Sequence, residues 1–138
     1  MPLGRRMSKD VAELFEADRV LADTYRRRLA EATEAEARLR AAQSADPSGA
    51  APRAEAIAFD RALTAAIEAA EAAERVAAGP KVYAPENADA KTRRAAEIAF
   101  RRAKAKPAVQ PWTDEVDRLR TAREAHRLSY RVVPAVAV

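Results

Sequence analysis

The chain has no cysteine and a single histidine, His126. Without thiols there is neither a structural disulfide nor a thiolate metal site. With one imidazole, a conventional zinc site or a Ser-His-Asp triad is nearly excluded as well. Glycine occurs three times, as Gly4, Gly49 and Gly79, and none stands in a phosphate-cradling loop. Large apolar side chains are scarce: Leu, Ile, Val and Phe make up 24 of 138 residues, about 17%. Disorder becomes an option below roughly 20%. It also requires a high net charge, and the formal charge is only +4. No apolar run approaches the roughly 18 residues that suggest a membrane span. The basic start, Met1 to Met7, is not followed by the apolar stretch of a secretory signal. These absences argue against a thick-cored α/β enzyme and against a membrane partner. They make the cytoplasm, or a virion assembled there, the expected location.

What the chain has is alanine. Alanine supplies 37 of the 67 hydrophobic residues, so only 30 are large apolar or aromatic ones. The length suits one domain. The composition predicts a thin all-α protein whose helices approach closely through small side chains.

Helical spacing divides the chain into a long antiparallel helical hairpin over 8–79, a basic segment over 80–128 carrying two shorter helices, and an extended apolar C-terminal tail over 129–138. Ser8 is a suitable N-cap, with Asp10 in the first turn to favour the helix dipole. No residue type that breaks a helix follows before Ala42, so one helix is expected there. Val11, Leu14, Phe15, Leu21, Tyr25, Leu29 and Leu39 share a side of it. Asp18 and Glu36 intrude on that stripe, and pairing with arginines of another helix would account for them. Residues 44–52 are turn-like in composition. The second helix, from Pro52 or Arg53 to Ala78, is stopped by Gly79-Pro80. Its apolar face has rows that begin bulky and continue small: Phe59, Ala66, Ala73 and Leu63, Ala70, Ala77. An antiparallel pair of helices is the economical reading.

Lys81–Pro85 is expected to be extended, because the residue before proline avoids the helical region. Asn87 or Asp89 caps a third helix to about Ala105. Pro107 and Pro111 bracket a short extended link, and Thr113 caps a fourth helix ending near Leu128.

Charge is unevenly spread: net +1 over 1–43, −3 over 44–79 and +6 over 80–138. On the third helix Lys91, Arg93, Arg94, Arg101, Arg102 and Lys104 cover about half the circumference. Such a face can lie along phosphates or meet an acidic protein. The ordinary alternative is a solvated face, with Glu97 pairing to Arg93 or Arg101. The fourth helix carries a mixed stripe, Val116, Leu119, Arg123, His126 and Tyr130, which either lets the arginine snorkel or meets a partner. His126 is a switch candidate only in principle. Packing is the commoner fate of a lone histidine. In the tail Tyr130, Val132, Val133, Val136 and Val138 have little to bury against and suit docking on another chain's sheet edge. Folding back or fraying are the alternatives. Trp112 is a candidate interface anchor, or a packing staple at the start of its helix.

No catalytic constellation, cofactor loop or metal-ligand set is legible. Asp18 and Glu36 cannot act together within one helix, since 18 residues span about 27 Å. The expectation is a non-enzymatic assembly or adaptor protein, binding no cofactor, with protein partners in a homo-oligomer or larger assembly. A basic nucleic-acid-binding protein is the second reading. In general style the architecture resembles small helical phage head–tail adaptors and other virion components, a likeness of architecture alone.

Overall fold

The computed structural model describes the backbone of residues 7–137 and the side chains of residues 7–130. Five α-helices follow in order: α1 (Lys9–Ala22), α2 (Tyr25–Ala45), α3 (Ala50–Ala78), α4 (Ala90–Ala103) and α5 (Gln110–Ala137). A 3₁₀ turn, Pro80–Val82, lies between α3 and α4, and the described residues contain no strand.

The first helix begins as its cap dictates, with the Ser8 hydroxyl accepting from the Val11 amide at 3.2 Å. It does not run unbroken to Ala42. Asp23 and Thr24 interrupt it, and the Thr24 hydroxyl donates to the Leu21 carbonyl at 2.6 Å. A threonine hydroxyl that bonds a preceding carbonyl competes with the helical ladder. Both residues keep right-handed helical dihedrals, so the break separates α1 from α2 without reversing the chain.

The turn into α3 is shorter than its composition suggests. Only 46–49 lie outside the helices, closed by the Gly49 amide bonding the Asp46 carbonyl at 3.1 Å. Pro52 falls within the first turn of α3, where its missing N–H costs nothing. At the far end Gly79 has φ +100°, and its amide reaches the carbonyls of Arg75 and Val76. The chain then turns through Pro80–Val82 and becomes extended only at Tyr83, so the extended stretch is shorter than Lys81–Pro85.

Helix α3 is the centre of the molecule. Arg38–Glu55, Arg28–Ala65 and Asp18–Arg75 pair in reverse order along their elements, so α1 and α2 run antiparallel to α3. Arg127–Asp60, Arg123–Thr64 and Thr113–Glu74 place α5 antiparallel to another side of it. Ala66, Ala69, Ala70 and Ala72 are completely buried. At these four positions without bulk, all within two turns, the neighbouring helices approach the α3 backbone closely. The main core cluster joins Tyr25, Ala32, Ala35 and Leu39 of α2 with Phe59, Leu63 and Ile67 of α3 and Val116 and Leu119 of α5. Residues on both sides of position 80 therefore share one core.

Two further segments differ from expectation. The Pro107–Pro111 link is a series of turns that buries Val109, and α5 starts at Gln110 instead of Thr113. The backbone of α5 stays helical to Ala137, so the tail expected to be extended over 129–138 is helical as far as position 137. The packing of Tyr130 on the core carries the helix past Leu128. The side chains of Val132, Val133, Val136 and Val138 lie outside the described residues. No helix among the described residues is long and apolar enough to cross a membrane.

Candidate functional site: a basic helix and a groove

Helix α4 is the most peripheral element. Asp89 caps it, its carboxylate accepting from the Thr92 amide at 2.8 Å, and that bond holds the Asp89 carboxyl below its usual range. Ala96 and Ala103, two turns apart, are buried and fix the helix to the body. Helical geometry then sends the opposite half outward. Lys91, Arg93, Arg94, Arg101, Arg102 and the capping Lys104, all exposed, lie on that half and along its edges, with the exposed Glu97 and Ile98 among them. None of the six forms an ion pair with a described residue. The i±4 bridges from Glu97 to Arg93 or Arg101 are not formed. Lys91 to Lys104 spans about 20 Å of helix.

Five arginines outside α4 behave differently. Arg28, Arg38, Arg75, Arg120 and Arg127 all bind carboxylates across helix boundaries. Asp18 shows the purpose of such pairs. It accepts from Arg75 Nε at 2.7 Å, Arg75 Nη2 at 3.0 Å and the Tyr83 hydroxyl at 2.6 Å. The bidentate bond to Asp18 raises the Arg75 pKa, and burial, with the same carboxylate beside it, pushes the Tyr83 hydroxyl well above its usual range. Phe15 packs edge-on to Tyr83, with centroids 5.7 Å apart. The intruding carboxylate of α1 therefore ties α1, α3 and the segment after Gly79 together. Glu36 pairs within its own helix, with Arg40.

Phe100, the aromatic residue nearest the basic face, is half-buried, and the Lys104 ammonium sits 4.9 Å from its ring centre. One face of that ring is thus taken by a cation-π contact, which leaves it poorly placed to stack on a base.

The mixed stripe of α5 is covered by α3 of the same chain. Val116 and Leu119 are buried. Arg123 donates to the Thr64 hydroxyl at 3.2 Å, and His126 Nε2 donates to the Ala56 carbonyl at 2.8 Å. The Phe59 and His126 rings stand 4.7 Å apart. His126 is accordingly a packed residue with a backbone partner. Trp112 also packs inward, edge-to-face on Tyr25 at 5.3 Å, with the Tyr25 hydroxyl donating to Glu115. Its ring serves the core at the start of α5.

Sequence reasoning did not foresee the groove that begins beside His126. It measures about 570 Å³ and lies where the α2–α3 turn meets the far half of α5. Leu39, Ala56 and Phe59 line it from α2 and α3, and Ala122, His126 and Tyr130 from α5, with Arg40 and Arg53 also in its lining. The signal available in the sequence was the small-residue spacing Ala122, Ala125, Ser129 on α5. A second recess, about 480 Å³, gathers Asp10, Glu13 and Glu86, but the described residues hold no metal-ligating group of three. Among the described residues every buried side-chain nitrogen or oxygen has a partner. No family model, curated protein or solved structure matches the chain.

Proposed function

We propose that the chain is a non-enzymatic assembly or adaptor protein that docks an acidic partner along the outer face of α4. The observation that carries this reading is the pairing pattern of its cations. Elsewhere in the fold, five arginines form ion pairs between helices, while the exposed Arg26, Arg27, Arg53 and Arg61 stand scattered and without an ion pair to a described residue. On α4, six cations stand exposed, on one side, without such pairs. A face about 20 Å long that carries six cations against the one carboxylate of Glu97 attracts an acidic surface and speeds its encounter.

Phosphate chains and acidic protein surfaces share this attraction. The occupied ring of Phe100, with no second cation-π contact among the described residues, favours the protein surface over single-stranded nucleic acid. A small virion component falls within the same reading, with general architecture as its only support.

The test compares the native chain with Arg93→Gln/Arg94→Gln/Arg101→Gln/Arg102→Gln. Both are titrated with poly-glutamate and with a short DNA duplex over a range of salt concentrations. The reading expects binding to the acidic polypeptide that the four substitutions abolish. Preferential duplex binding, with a log–log salt slope of several units, would transfer the assignment to nucleic acid.

A further inference from the structure

The groove beside His126 points to a second interface. Its α5 wall advances at helical spacing through Ala122, Ala125, His126, Ser129 and Tyr130. The same register runs on through positions 133, 136 and 137 of α5. The sequence from 131 onward reads Arg-Val-Val-Pro-Ala-Val-Ala-Val, with no charged residue after Arg131. Away from the groove, Leu128 is 53% exposed, and position 132 follows it one turn later. The end of α5 is thus apolar in sequence on more than one side, a pattern that calls for cover. Within the chain, the backbone to Ala137 continues straight on from the groove as helix. Ala137 stands about 10 Å along the helix axis from Tyr130, at about 1.5 Å per residue.

We propose that the groove receives the apolar segment 132–138 of a second copy of this chain, in a reciprocal two-fold dimer. The chemistry of groove and segment agrees. Leu39, Ala56, Phe59 and Ala122 offer an apolar floor of the kind that takes a helix's apolar side. An uncharged segment leaves the rim pair Glu36–Arg40, 3.2 Å apart, intact and in water. Because Tyr130 lines the groove and the apolar segment follows directly, donor and acceptor surfaces adjoin on each copy. That is the arrangement a closed, self-complementary dimer requires. The inference rests on the assembly reading and names a second copy as one partner, on a surface separate from α4.

The absence of cysteine makes the test clean. A Ser48→Cys chain and a Val136→Cys chain are mixed under mild oxidation, and the mass of the native chain is followed by light scattering. The expected results are a species of twice 15.0 kDa and a disulfide joining the two different chains. Val133→Lys/Val136→Lys, checked for unchanged helix content, should weaken the dimer by more than about tenfold. A native chain that stays monomeric at every concentration overturns the proposal. So does a Ser48→Cys/Val136→Cys chain that closes its disulfide within one molecule, since the segment would then cover its own groove. A monomer that still binds acidic polypeptide through α4 removes the dimer alone. A dimer that ignores acidic polypeptide removes the α4 reading alone.

Discussion

Replacing Ala66 with leucine tests whether the alanines of α3 are spacers or filler. Ala66 has no exposed surface and lies in the cluster with Tyr25, Leu63 and Ile67. Leucine adds three carbons. In a loose core their burial would stabilise the protein by about 2 kcal/mol, at about 0.8 kcal/mol per carbon. In a close-packed core they force neighbouring helices apart, at a cost of about 1–3 kcal/mol. Full burial at four alanines, with helices on several sides of α3, selects the second outcome. For a chain of this length each kcal/mol lowers Tm by about 4 °C, so a drop of about 4–12 °C is expected. Circular dichroism melts and urea titrations measure it. Ala37→Leu, on the exposed side of α2, serves as the control and should change stability by less than about 0.5 kcal/mol. If Ala66→Leu were neutral or stabilising, the packing account of α3 would be refuted.

Other consequences follow from single contacts. Gly79→Ala should cost about 1–3 kcal/mol, because φ is +100° while no atom lies within 4 Å of the added carbon; an unchanged urea midpoint would show that the turn relaxes freely. Tyr83→Phe removes one bond to Asp18 and should cost about 1 kcal/mol in the same assay. Asp60 has its pKa lowered in the fold by its hydrogen bond to Arg127. A lowered folded pKa gives stability that is complete above the unfolded carboxylate pKa of about 4 and is lost as pH falls through the folded value. Asp60→Asn should therefore be less stable than the native chain at neutral pH, and the gap should close in acid; a gap independent of pH would contradict the assignment. Neutralising the four arginines of α4 should move Tm little, since none of them forms an ion pair with a described carboxylate.

Much of the all-α character was legible in what the chain lacks and in its period of alanine and leucine. The stop at Gly79 was legible because one residue type suits a positive φ before proline. The interruption at Thr24 was not, since it rests on a hydroxyl bonding a carbonyl while both dihedrals stay helical. Nor was the cover of the α5 stripe. Arg123 and His126 look out of place on an apolar face until Thr64 and the Ala56 carbonyl of α3 are opposite them. Periodicity within one helix says which side is apolar, but the polar partner comes from residues roughly sixty to seventy positions away. The cations of α4 were visible as a run. Whether they were paired depended on where Glu97 and the carboxylates of other helices lay in three dimensions. Trp112 illustrates the same limit, because only the fold brings Tyr25 against it.

The most direct test of the proposed docking face compares what the native chain and the four-arginine variant of α4 retain from an extract of the native source after nuclease treatment. The account predicts that the native chain retains an acidic protein in stoichiometric amount, displaced by salt and absent from the variant, with both chains equally folded. Identical retention by the two chains, or retention that disappears with the nuclease, would contradict it.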